Sequence, residues 1–270
     1  MAQSDANFVG AIPEVYDGYL VPLMFQTYAE DMAARVAALN PGAVLETAAG
    51  SGVVTRELAP KLGPKARYVV SDLSPPMLDK AKARQMPDER IEWTVADAQN
   101  LPFGDAEFDT LCCQFGVMFF PDKQRGFAEA KRVLRPGARL VFSVWDRLEH
   151  NPISEVVGTA INDHFPINPP DFFRRAPFGY CDPAKIRSDL AAAGFGNVAI
   201  ETVTRESRAP AARDAAVALV QGTPMRMEVV ARDPGGLPAV TDVAEAALRR
   251  RYGDGPIAGK VQALVVVATA

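Results

Sequence analysis

Three carboxylates and two glycines carry most of the legible chemistry of this 270-residue chain: Glu46, Asp72, Asp97, Gly50 and Gly52. Ala43 to Leu45 reads as a short buried strand, with Glu46 at its carboxyl end and the glycines in the turn that follows. Val54, Leu58 and Leu62 then repeat at helical spacing until Gly63-Pro64 stops the pattern. A strand, a glycine turn and a helix make a nucleotide-type pocket. Glycine lets backbone approach a ligand, and a helix N-terminus presents unpaired N–H groups. Glu46 narrows the choice of ligand. A carboxylate just before the turn repels a pyrophosphate and attracts a ligand carrying positive charge.

The other two carboxylates also end strands. Ala66 to Asp72 reads as a second strand whose terminal acid lies about 20 residues past the glycines, where doubly wound folds bind ribose hydroxyls. A carboxylate can accept from both vicinal hydroxyls. Ser74 has the character of an N-cap, with Pro75 at the first helical position and Met77, Leu78 and Ala81 on one face. Ile91 to Ala96 forms a third strand ending at Asp97, placed to accept from an adenine amino group. Leu73, Met77 and Ala98 offer apolar cover to such a ring, although Met77 serves helix packing equally well.

These groups need a frame. Phe108 to Phe115 reads as a fourth strand that brings Gln114 and Phe115 to the pocket, and a helix follows over 122–134, closed by Arg135-Pro136-Gly137. Arg139 to Trp145 is a fifth strand, apolar enough for burial on both faces. Strands alternating with helices imply right-handed crossovers and a parallel sheet, with ligands beyond the strands' carboxyl ends. Glu46, Asp72, Asp97 and Gln114 all fall there.

Two signatures compete for the loop. The dinucleotide fingerprint needs a third glycine at position 55, which is Thr. Glu46, Gly50 and Gly52 instead satisfy E-x-x-x-G-x-G. Residues 44–52, 71–78 (Ser-Asp-Leu-Ser-Pro-Pro-Met-Leu), 96–103 (Ala-Asp-Ala-Gln-Asn-Leu-Pro-Phe) and 132–137 (Arg-Val-Leu-Arg-Pro-Gly) follow in order. Over about residues 40–146 the chain resembles the class I S-adenosylmethionine (SAM) dependent methyltransferases of the type 11, ubiquinone/menaquinone-methyltransferase-like group.

The resemblance implies a Rossmann-like, seven-stranded, mostly parallel sheet of order 3-2-1-4-5-7-6, its last strand antiparallel, with helices on both faces and a small helical cap. It implies SAM as cofactor and S-adenosylhomocysteine as product. Glu46 and the backbone of Ala48, Gly50 and Gly52 would hold the methionine end, with Gln114 and Phe115 above it. Asp72 would take the ribose, Leu73 and Met77 would border the adenine, and Asp97-Ala98 would meet its edge. The family commonly has Gly-Cys or Gly-Thr where this chain has Ala48-Ala49, the smallest departure possible. Residues 12–25 also resemble a lead-in seen in one branch of the group. Tyr16 and Phe25 would then cover the methionine moiety, or the segment is an amphipathic helix packed on the sheet.

Beyond Trp145 the pattern becomes less specific. Helices are expected over about 152–165, 183–193, 214–220 and 242–251, with strands at 198–204 and 261–269. A single domain over 1–270 follows, its core at about 35–146, 182–206 and 258–270, its cap at 1–34, 150–181 and 207–257. Methyl transfer is an in-line displacement that succeeds largely by orientation. A general base helps where the acceptor must lose a proton, and His164 is the better candidate of the two histidines, His150 being the other. Phe165, Phe172, Phe173, Phe178 and Tyr180 suit a flat apolar acceptor or form the cap's own core.

Composition agrees. A 48% hydrophobic content can bury one substantial core. A net charge of −4, with no basic block beyond Arg249-Arg250-Arg251, gives no electrostatic footing for nucleic acid. No apolar run is long enough to span a bilayer, and Met1 to Gly10 lacks the character of a signal peptide, which places the chain in the cytoplasm. Cys112, Cys113 and Cys181 form no metal-ligand or C-x-x-C pattern and read as structural thiols. The sequence thus favours a small-molecule methyltransferase. A SAM-binding protein of the same fold without catalysis and an NAD(P) oxidoreductase stand as alternatives.

Overall fold

The computed structural model describes residue 10 and residues 12–270; the reading of Met1 to Gly10 as no signal peptide lies, Gly10 apart, outside the described residues. Seven strands form one sheet in the order β3-β2-β1-β4-β5-β7-β6. They are β1 (Ala43–Glu46), β2 (Arg67–Asp72), β3 (Ile91–Val95), β4 (Phe108–Gln114), β5 (Leu134–Trp145), β6 (Gly196–Ala209) and β7 (Ile257–Thr269). Neighbours from β3 to β5 pair parallel, and β7 runs antiparallel to both β5 and β6. The expected strand order and orientation are those observed. Every residue of β1 is buried, as a central strand covered on both faces requires.

Short devices set the element ends. Gly52 precedes α3 (Val53–Leu58) with φ +77°, and a Cβ there would lie 2.8 Å from the Ala81 methyl on α4 (Pro75–Arg84). Glycine at 52 is therefore demanded by conformation and by close packing. Asp122 caps α5 (Lys123–Val133) by accepting from the Arg125 N–H at 3.0 Å. The strand after α5 begins earlier than expected. Leu134 already pairs with Phe108, and a register shift between Phe108 and Thr110 lets Pro136-Gly137 lie within β5, Gly137 at φ +83°.

The N-terminal segment departs most from expectation. After α1 (Ile12–Val15), Tyr16–Phe25 winds as a π-helix containing Pro22, and then becomes α2 (Gln26–Ala38). Buried Asp17 ties it down through an ion pair with Arg84 on α4, with Arg56 of α3 3.8 Å away, and Glu14 meets Lys80 at 2.6 Å. At the far side of the sheet α6 (Pro152–His164) packs against β7, α9 (Ala212–Gln221) and α11 (Leu237–Tyr252). The remaining helices are α7 (Phe172–Arg175), α8 (Pro183–Ala192) and α10 (Met225–Arg232), the last between the helices expected over 214–220 and 242–251, where none was expected. Among the described residues no helix is long and apolar enough to cross a membrane.

Candidate functional site

A cavity of about 350 Å³ opens at the carboxyl ends of β1, β2 and β4. Strand order reverses between β1 and β4, and doubly wound sheets hold their ligands at such a switch point. Ala48, Gly50, Asp72, Leu73, Met77, Asp97 and Ala98 line one end; Tyr16, Phe25, Gln114 and Phe115 continue the wall. Eleven separately expected positions thus meet in one place.

Asp72 organises the polar end. Its carboxylate accepts the Gly50 N–H and the Ser74 N–H, each at 2.7 Å, so one side chain joins the glycine turn to the start of α4. The N-cap function expected of Ser74 is carried in part by Asp72, and no side-chain cap bond from Ser74 to α4 forms. Burial pushes the Asp72 carboxyl above the ordinary carboxylate value, while its backbone donors pull the other way. Leu73 beside it is 57% exposed and Met77 is buried, an apolar border for a flat group. Asp97 accepts the Gln99 N–H at 2.8 Å, which fixes the turn after β3.

Glu46 and Gly52 lie outside this wall. The Glu46 side chain is buried beneath the turn, where Tyr68 donates to its Oε2 and Thr55 donates to the same oxygen at 2.8 Å. Desolvation pushes this carboxyl up to about 7 from its ordinary 4.5, partly opposed by the two hydroxyl donors. The expected direct contact between Glu46 and a cationic ligand is therefore corrected. Its polar partners come from β2 and α3, and its position stiffens the loop from below. Gly52 faces Ala81 rather than the cavity.

Ala48 occupies the departure from the family loop with φ +53°, a left-handed conformation that costs a non-glycine residue about 1 kcal/mol. Its methyl needs space opposite, and Gly116 provides it. A Cβ at 116 would lie 2.5 Å from the Ala48 methyl and 2.7 Å from Cys113 Sγ.

The other end of the cavity is aromatic. Tyr16 stacks on Phe25 (centroids 5.2 Å), and Phe115 stacks on Trp145 at 3.7 Å. Trp145 continues to Phe178 at 6.3 Å, Phe178 to Phe173, and Phe119 to Phe172. Phe172, Phe173 and Phe178 belong to the segment expected to form the cap, and all three reach the cavity. Phe165 and Tyr180 do not; the Tyr180 hydroxyl donates to buried Asp189 at 2.9 Å instead.

His164 is also corrected. It stands exposed at the end of α6, edge-on to Phe165, and takes no part in the cavity wall. His150 engages Asp146 at 2.9 Å, likewise outside the wall. Burial raises the Tyr16 phenol well above its ordinary range, so it stands as a neutral group. Met24, Met118, Trp145, Ser154, Leu219 and Thr223 were not anticipated. The Phe119-Phe120-Pro121 run in the loop after β4 was the one local signal that could have pointed to part of that wall.

Sheet order, switch-point cavity and a carboxylate closing β2 define a Rossmann-like fold of the methyltransferase class. Residues 45–142 match the family model described as a methyltransferase domain. It is 42% identical over 113 residues to a demethylmenaquinone methyltransferase of Deinococcus radiodurans, a match covering 40% of this chain and 45% of that protein. It is 35% identical over 101 residues to a ubiquinone/menaquinone biosynthesis C-methyltransferase of Hahella chejuensis, covering 36% and 41%. The chain thus spans less than half the length of either relative. Among solved structures it resembles a Haemonchus contortus phosphoethanolamine N-methyltransferase complexed with S-adenosylhomocysteine. That likeness, at 14% identity and TM-score 0.58, covers 96% of this chain and 56% of the other and concerns the fold.

Proposed function

We propose that this protein transfers a methyl group from SAM to a small organic acceptor, leaving S-adenosylhomocysteine. The observation that carries the reading is a single cavity with a polar, carboxylate-bearing end at the glycine turn and a continuous aromatic end under the cap. SAM supplies a methyl carbon already activated by its sulfonium.

The residues present suit that cofactor. Asp72 retains acceptor capacity for ribose hydroxyls beyond its two backbone donors. Leu73 and Met77 offer the adenine an apolar border, and Asp97 and Ala98 meet its edge. Gln114 Oε1 is buried without a hydrogen-bond partner, and a buried acceptor of this kind is costly unless a ligand donor such as the ammonium of the methionine end satisfies it. Tyr16 and Phe25 cover that end. Glu46 braces the loop from behind through its hydrogen bonds from Tyr68 and Thr55. The segments around the cap, 150–181 and 207–257, complete the acceptor end as part of one domain. A dinucleotide is less well served, because Thr55 stands where its fingerprint needs glycine and spends its hydroxyl on Glu46.

We place the reaction in the cytoplasm, a reading supported by the free thiols at Cys112, Cys113 and Cys181. Calorimetric titration with S-adenosylhomocysteine tests the cofactor assignment. One-to-one binding is expected, and its absence with folded protein sinks the proposal.

A further inference from the structure

β6 forms one margin of the sheet and runs for 14 residues. Its neighbour fixes which way its backbone groups point. On β7 the Gln262 carbonyl accepts the Asp146 N–H at 3.1 Å, and just beyond β7 the Ala270 N–H donates to the Ala138 carbonyl at 2.8 Å. Even-numbered positions of β7 therefore turn their polar groups towards β5. Val261, Ala263 and Val265 turn theirs towards β6, onto Arg205, Val203 and Glu201. The pairing runs without a register shift from Ala199 to Ala209, so Ile200, Thr202, Thr204 and Glu206 present their N–H and C=O groups away from the sheet. Among the described residues the N–H groups of these residues meet no acceptor.

Such a row is a template for a further strand, and native edges are often guarded by charge. β6 carries charge, but in an order that suits a second copy of itself. Glu201 and Arg205 stand on the face towards α2, where Glu201 pairs with Arg35 at 2.9 Å and Arg205 with Asp31 at 2.9 Å. Val203 lies between them and is buried. When a second β6 is laid antiparallel about Val203, each Glu201 falls opposite the Arg205 of the other copy. Residues 201, 203 and 205 then occupy the narrow pairs, with Cα atoms about 4.5 Å apart and side chains closest. In the hydrogen-bonded pairs Thr202 opposes Thr204 and Ile200 opposes Glu206, so the outward N–H groups find carbonyls. Across the axis the charges run Arg35, Glu201, Arg205, Asp31, alternating in sign. Centring on Thr204 instead sets Glu201 against Ser207 and Arg205 against Val203, so the charges select the register.

We infer that two copies of this chain associate edge to edge through β6, antiparallel and centred on Val203, to form one continuous sheet across a two-fold axis. The interface stands apart from the methyl-transfer reading, since neither this edge nor its charges belong to the cavity wall.

Sedimentation equilibrium of the unaltered chain over about 1–100 μM is expected to show a reversible dimer. A monomer at the top of that range overturns the inference. Amide hydrogen exchange at Ile200, Thr202, Thr204 and Glu206 is expected to slow as dimer forms; exchange there that ignores concentration places the contact elsewhere and also overturns it. Two charge reversals test the register. Glu201→Arg sets Arg against Arg at both symmetry-related pairs, and Arg205→Glu sets Glu against Glu. Each variant alone is expected to dissociate at least about tenfold more readily. Mixed in equal amounts, the two variants restore opposite charges at both pairs, and a heterodimer of nearly unaltered affinity is expected, read by energy transfer between differently labelled chains. Lost folding would give no such mutual rescue. A dimer indifferent to either reversal, or folded variants that stay apart when mixed, overturns the inference.

Discussion

Tyr68 and Glu46 face each other across neighbouring strands, and the tyrosine hydroxyl donates to the carboxylate beneath the glycine turn. Thr55 donates to the same oxygen from α3. One buried acid therefore ties β1, β2 and the first helix together below the loop on which Ala48 and Gly50 lie.

That arrangement makes stability depend on pH in a definite direction. With its carboxyl raised from 4.5 to about 7 by burial, Glu46 favours its protonated form in the folded state. Its contribution is fully present below pH 4.5 and is lost as pH rises through about 7. Across that window the slope approaches about 1.4 kcal/mol per pH unit. Glu46→Gln removes the titration, so denaturant unfolding at pH 5 and pH 8 is expected to show a larger pH loss in the unaltered protein than in the variant. Parallel curves would show that Glu46 ionises as an ordinary carboxyl.

Asp72→Ala removes the acceptor for the Gly50 and Ser74 N–H groups as well as the ribose partner. Cofactor binding is expected to weaken by about 1–3 kcal/mol, through lost charge-assisted hydrogen bonds. An unchanged dissociation constant for S-adenosylhomocysteine would show that Asp72 is misassigned.

Ala48 and Gly116 are expected to be coupled. Gly116→Ala forces a methyl to within 2.5 Å of the Ala48 methyl, an overpacking that costs about 1–3 kcal/mol. Ala48→Gly relieves both that clash and the left-handed strain at φ +53°. A double-mutant cycle read by urea unfolding is expected to show the pair less destabilised than the sum of the single changes. Simple additivity would mean that the loop moves aside instead.

Asp17→Asn weakens the tie between the π-helix and Arg84 and Arg56. Dissociation of S-adenosylhomocysteine, followed by stopped flow, is expected to accelerate roughly tenfold, equivalent to about 1.4 kcal/mol. A rate within twofold of the unaltered protein would show that Tyr16 and Phe25 do not gate release.

His164→Ala is expected to leave kcat/KM within about twofold, since the imidazole is exposed and off the cavity wall. A hundredfold loss in a steady-state assay would restore it as a base.

What the sequence made legible was positional. Asp72, Asp97 and Gln114 could be placed because a strand's end fixes where a residue sits in a parallel sheet, and Gly50 because a turn needs it. Strand-end position does not say which way a side chain points, since successive side chains alternate faces. Glu46 was misdirected for that reason. The π-helix escaped notice because Pro22 and Gly18 within an apolar run read equally well as an ordinary helix or a lead-in. Met24, Trp145, Ser154 and Leu219 meet only through tertiary packing of distant segments, and no local spacing announces it.

Met24, Trp145, Ser154, Phe172, Phe173, Phe178, Leu219 and Thr223 all fall outside residues 45–142, the segment that matches the family model. Asp72, Met77 and Asp97 fall inside it. The molecule is thus partitioned along its own sequence. The matched segment supplies most of the glycine-turn end and, through Phe115 and Phe119, part of the aromatic end, while the rest of the aromatic end comes from residues before 45 and after 142. Similarity over the matched segment is consequently a poor guide to the part of the cavity wall that lies beyond it.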